Sequence, residues 1–210
     1  MQAHEYTIIG KSRTNIGRYL GVIAGGLAAA IYLVAGATLS FLKTTSFTDW
    51  IPNIIFWPLS AGAIYIVVHF AFDKWMWKWP LVSMFLDIPN IQGLWECKGE
   101  TKDADGNTTY EWDGRVTITQ TWEKITVLLK TKQSASHSMV AALVNEGGEG
   151  YRLIYRYTNE PKAGEPLNHH IGFCDLRFNK NLTEAEGDYF NKGRWTFGQM
   201  KLTKRENDAD

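Results

Sequence analysis

The sequence predicts a membrane protein in two parts: a two-helix N-terminal transmembrane hairpin and an all-β C-terminal domain, a small eight-stranded up-and-down antiparallel barrel. Three observations predict it. Two long apolar runs fall within the first 72 residues, the charge is concentrated beyond residue 92, and the apolar period changes from helical to two at Gly93.

Whole-chain averages hide this division, because 45% hydrophobic and 21% charged residues with a formal net charge of zero describe an ordinary soluble protein. Residues 1–92 hold six Lys/Arg and four Asp/Glu, against sixteen and eighteen beyond. From Tyr19 to Leu42 there is no formal charge, and a helix of that length, about 36 Å, exceeds the roughly 30 Å hydrocarbon core. Ile51 to Phe72 forms the second expected span, with only His69 titratable, Pro52 in its first turn and Pro58 as a kink. The short connection between them requires an antiparallel hairpin. Trp50 and Trp57 at one end, and Trp75, Trp77 and Trp79 at the other, suit the two aromatic belts.

The expected segments are a basic N-terminal stretch (1–18), the hairpin (19–72), an interfacial Trp-rich linker (73–92), a β-domain (93–204) and a polar tail (205–210). Lys11, Arg13, Arg18, Lys74 and Lys78 flank the hairpin on one side, against Lys43 in the loop, so the positive-inside rule puts both termini and the β-domain in the cytoplasm of a bacterial inner-membrane, multi-pass protein. A cleaved signal peptide ending near Ala37 is the rival reading, opposed by the length of the apolar run and the second span. Gly17, Gly21, Gly25 and Ala29 recur every fourth residue on one face, a stripe suited either to packing within the hairpin or to self-association between protomers. The segment after Phe72 is too short and too charged for a third span and is expected at the membrane surface.

From Gly93 onward, Val116, Ile118, Gln120 and Trp122 alternate with polar residues, as do Ile125, Val127 and Leu129, and Leu153, Tyr155 and Tyr157. Turn-forming clusters recur at 103–107, 145–150, 159–168, 179–181 and 191–193. Eight strands follow, near 93–102, 110–122, 124–132, 136–145, 151–158, 169–178, 183–190 and 194–204. A closed barrel leaves no exposed edges and can enclose one small ligand, with an open sandwich as the alternative. Cys97 and Cys174 read as reduced strand residues.

No nucleotide-binding loop, zinc-protease helix, nucleophile elbow or CxxC pair occurs, so no catalytic residue, metal or cofactor is expected. His169 and His170 face opposite sides of any regular strand. Glu184, Glu186 and Asp188 share one strand face that reads as solvated exterior. What remains is aromatic and Arg density in the last third, GFCDLRFN and GDYFNKGRWTFGQM. Such rings stack on bases and such guanidinium groups bind phosphate, though both residue types also serve barrel cores and ion pairs.

Two spans, a Trp-rich linker, and a β-domain opening IQGLWECKGE and closing on Gly187, Tyr189, Arg194 and Gly198 resemble the SMODS-associated two-transmembrane, β-strand-rich effectors of CBASS anti-phage defence. That resemblance covers nearly the whole chain. It implies a non-enzymatic effector that binds a cyclic oligonucleotide second messenger, typically a cyclic dinucleotide, in its barrel. Binding then drives homo-oligomerisation in the lipid bilayer, membrane disruption and abortive infection, with no nucleic acid polymer as partner. On this reading Arg177 and Arg194 are the phosphate candidates and Tyr155, Tyr189 and Trp195 the stacking candidates. Gly93-Leu94-Trp95 also looks like the Gly-x-Trp opening of lipocalin-like barrels, which leaves a membrane-anchored binder of an apolar small molecule as the alternative.

Overall fold

A computed structural model describes residues 2–10, 13–42, 60–192 and 196–205. They form two compact units, Lys11–Trp77 and a second made of Met1–Gly10 with Lys78–Asp210.

The first unit is helical. Helix α1 (Arg13–Leu42) contains a stretch, Arg13–Thr38, long and apolar enough to cross a membrane. Helix α2 (Ala61–Lys74) starts where the Ser60 hydroxyl accepts the Ala63 N–H, satisfying one of the donors a helix start leaves open. The two helices pack together. Leu20, Ala24 and Ala28 are buried on α1, one position away from the expected glycine stripe. A Cβ added at Gly17 would meet the Tyr65 hydroxyl at 3.9 Å, whereas at Gly21 or Gly25 it would meet nothing within 4 Å. Residues 51–59 of the expected second span, with Trp50, lie outside the described residues.

The second unit is a closed barrel of nine strands: β1 (His4–Ile9), β2 (Gly93–Lys102), β3 (Thr108–Gln120), β4 (Lys124–Thr131), β5 (Ser134–Asn145), β6 (Tyr151–Pro161), β7 (His170–Phe178), β8 (Glu184–Lys192) and β9 (Thr196–Lys204). Strands β2 to β9 occupy the intervals anticipated from alternation. The ninth, β1, corrects the eight-strand expectation: it lies within the basic N-terminal stretch 1–18, where the alternation analysis assigns no strand. It also corrects the purely antiparallel pattern, since Tyr6–Ile9 run parallel to Ala141–Val144 of β5. The physical reason lies between β4 and β5, which pair only from Leu128 to Lys130 and then diverge. β1 enters that wedge, pairing His4 with Ile125 on one side and β5 on the other. Ser138 pins the fork: its Oγ accepts the Val127 N–H at 2.9 Å and bonds the His4 ring at 2.7 Å. A barrel with this gap open would expose unpaired backbone, so the N-terminal strand closes it.

One end of the barrel is solid. Trp95 and Phe178 meet edge to face at 5.2 Å among the buried Val116, Ile118, Leu143, Leu153 and Leu202. The linker forms a short helix, α3 (Pro80–Leu86), opened by Pro80 and ended by Asp87 in the left-handed region at φ 55°. Ile88 and Ile91 then run into the closed end. Gln120, 2% exposed, accepts the Ile91 N–H at 3.0 Å and donates to Pro89 O and the Tyr6 hydroxyl at 3.2 Å, tying linker, β1 and β3 together. Such a buried amide is tolerated because its hydrogen bonds are made.

Candidate ligand-binding site

The opposite end of the barrel is hollow. A cavity of about 560 Å³ opens there, lined by inward residues of β2 to β9. That volume falls within the roughly 300–1,000 Å³ typical of small-molecule sites. Inward positions near the closed end carry Trp, Phe, Leu and Ile, while towards the mouth Ser, Thr, Asn and glycine stand among the rings of Trp112, Tyr155, Tyr157 and Tyr189.

Two glycines make room for large rings on the neighbouring strand. Gly99 pairs across β2 and β3 with Trp112, and a Cβ at position 99 would overlap that indole. Gly172 stands in the same relation to Tyr157 across β6 and β7. The rings therefore lie along the inner wall, held at their polar tips. The Tyr157 hydroxyl donates to Asn191 Oδ1 at 2.5 Å, and the Asn191 amide donates to Thr196 at 3.0 Å. The Tyr189 hydroxyl receives the Trp112 indole N–H at 3.2 Å and shares a hydrogen bond with Thr101 at 2.8 Å. Asn159 donates to Ser134 and Ser136 at 2.9 and 2.8 Å, while its Oδ1 is buried and, among the described residues, has no partner. Lys132, Gln133 and His170, with the carboxylates Glu111 and Asp113, complete the polar lining.

Burial pushes the thiols of Cys97 and Cys174 up to about 12, and raises the Tyr155 and Tyr157 phenols as well. These four groups are therefore uncharged at neutral pH, and both cysteines are free thiols. Among the described residues no group of His, Cys, Asp or Glu is arranged to hold a metal.

Tyr155 and Tyr189 both line this cavity. Arg177 does not join them: it stands on the outer face, its side chain 66% exposed, with Nε 3.7 Å from Glu146. Asp175, two residues along the same strand face, is held by Arg152 through two hydrogen bonds. Arg194 and Trp195 lie outside the described residues. Trp112, Tyr157, Asn159 and Asn191 were not among the sequence candidates. The parity of Trp112 with Val116 and Ile118, and of Asn159 with Tyr155, already pointed them inward, but only the cross-strand register shows that they share one space. His170 is buried and His169 exposed, as alternation required.

Residues 86–204 match the family model described as "Cap15, cyclic dinucleotide receptor domain", and residues 14–78 match "Cap15, TM helices". The chain is 40% identical over 210 residues to CD-NTase-associated protein 15 of Yersinia aleksiciae, covering 99% of this chain and all of that one. To the protein of the same name from Staphylococcus schleiferi it is 27% identical over 137 residues, 65% of this chain and 72% of that one. The chain therefore belongs to the Cap15 family, which joins transmembrane helices to a cyclic dinucleotide receptor domain and is associated with CBASS anti-phage defence.

Proposed function

We propose that this protein is a ligand-gated membrane effector: a cyclic dinucleotide enters the hollow end of the barrel, the transmembrane segments assemble into homo-oligomers, and the inner membrane of the infected cell is disrupted, giving abortive infection. The observation that carries this reading is the aromatic and polar cavity, which lies wholly within the stretch matched by the receptor-domain model. Trp112, Tyr155, Tyr157 and Tyr189 offer flat rings to bases, and the buried Asn159 Oδ1 offers an acceptor to a base N–H. Lys132 at the rim supplies a cation for phosphate. An apolar ligand of the lipocalin-like kind would leave the buried Asn159 Oδ1 without a partner, which disfavours it.

The membrane part of the reading places α1 and a second span formed around α2 as a hairpin, with both termini and the barrel cytoplasmic. The five flanking Lys/Arg support that orientation. The stripe Gly17, Gly21, Gly25 and Ala29 is the proposed assembly surface, supported by the open space over Gly21 and Gly25. Titrating the full chain in detergent micelles with 3′,3′-linked cyclic di-AMP, cyclic GMP-AMP, cyclic di-GMP and cyclic di-UMP, followed by calorimetry and light scattering, tests the whole sequence. Binding of at least one, with growth in particle size, is expected. Uptake of a fatty acid in place of all four would overturn it.

A further inference from the structure

The side of α3 that the barrel leaves uncovered is apolar. Leu81, Met84 and Phe85 stand at i, i+3 and i+4 and so share one face, 78%, 74% and 74% exposed, and Trp79 at the helix start is 55% exposed. Leu86 is buried, Ile88 and Ile91 follow it into the barrel end, and Gln120 fixes that segment by hydrogen bonds to both Ile91 and Pro89. The helix is thus mounted with its apolar side outward, and small rotations cannot hide it. A contiguous exposed patch of this kind marks an interaction surface.

Continuity of the chain identifies what covers the patch. The match to the transmembrane-helix model runs to residue 78, two residues before α3 begins, so α3 is the first element after the membrane domain. Tryptophan at its start and large apolar residues on its outer face are the composition of a helix lying in the bilayer interface. We infer that α3 is a membrane-docking helix, with Leu81, Met84 and Phe85 turned into the acyl-chain boundary and Trp79 at headgroup level, seating the closed end of the barrel on the lipid surface. Since the cavity opens at the other end of the barrel, docking leaves its mouth facing solvent, where a diffusing ligand arrives. This inference goes beyond the receptor reading and does not depend on which ligand binds.

The test uses the full chain reconstituted in phosphatidylcholine vesicles with or without brominated acyl chains. Single cysteines replace Leu81, Met84 or Phe85, and, as controls in the turns at the cavity mouth, Asp105 or Lys132. Each is labelled with an environment-sensitive fluorophore under native conditions, where Cys97 and Cys174 are buried and stay unmodified. Brominated lipid is expected to quench the labels at 81, 84 and 85 at least about twofold more than those at 105 and 132, as follows for groups seated about 5–10 Å into the interface. Equal quenching at all positions would overturn the inference. So would signals at 81, 84 and 85 that follow protein density in the vesicle and ignore bromine, the mark of contact with a second copy.

Discussion

Trp112 and Tyr189, 77 residues apart, meet inside the barrel, the indole N–H donating to the phenolic oxygen at 3.2 Å with ring centroids 5.8 Å apart and edge to face. They come from β3 and β8, with β2 and β9 between them. Two rings can bridge that distance only because Gly99 and Gly198 occupy the intervening inward positions; a Cβ at Gly198 would lie 2.8 Å from the Tyr189 hydroxyl. The cavity's aromatic wall is thus built from small residues as much as from large ones.

Replacing Gly99 by Ala is expected to push the Trp112 ring off its strand. Overpacking of this kind costs about 1–3 kcal/mol, so thermal unfolding of the full chain should show a lower midpoint. Ligand affinity should fall further than the shared loss of stability explains, because Trp112 anchors Tyr189.

Tyr189→Ala should weaken cyclic dinucleotide binding by about 5- to 150-fold, the worth of roughly 1–3 kcal/mol for a stacked ring. Tyr189→Phe keeps the ring but leaves the Trp112 N–H unpaired, and should be less damaging to affinity than the alanine variant. Arg177→Ala should leave affinity within about twofold, since a pair this exposed contributes little and its guanidinium turns to Glu146 on the outer wall. Calorimetry on the three variants orders them. A strong loss from Arg177→Ala would return that residue to the site.

Substituting Leu for both Gly21 and Gly25 should abolish cross-linking between protomers and toxicity in cells while leaving ligand binding intact. The bulk would separate helices at a face where the present structure has open space. Undiminished cross-linking would assign assembly to another surface.

The two thiols give a pH signature. Burial, the largest cause, moves both from an ordinary value near 9.0 to about 12, so the folded state holds these protons more tightly than the unfolded chain. Their contribution to stability is complete below the unfolded value and is lost as pH climbs from about 9 towards 12. Alkylation at pH 8 should be slow in the native protein and fast in denaturant, and the urea midpoint should fall across that alkaline window.

Orientation is tested by fusing alkaline phosphatase after residue 210. Cytoplasmic placement predicts little activity, and strong periplasmic activity would remove both the topology and access to a cytosolic messenger.

Some of this was legible in the chain because it depends on local pattern. A long uncharged run is long enough to span a bilayer whatever surrounds it, and strict alternation of apolar and polar residues assigns each strand an inside and an outside. Tyr155, Tyr189 and the separation of His169 from His170 were therefore within reach of the sequence. β1 was not: its six residues alternate correctly, with Tyr6 and Ile8 buried, but nothing local says that β4 and β5 diverge and leave a wedge more than a hundred residues away. Arg177 shows the same limit, since Asp175 lies two residues along its own strand face while the register across strands gives that carboxylate to Arg152. Parity is a property of one strand, whereas a cavity is a property of how strands are staggered around a closed barrel. That stagger placed Gly99 and Gly198 between Trp112 and Tyr189, and only the tertiary structure could decide it.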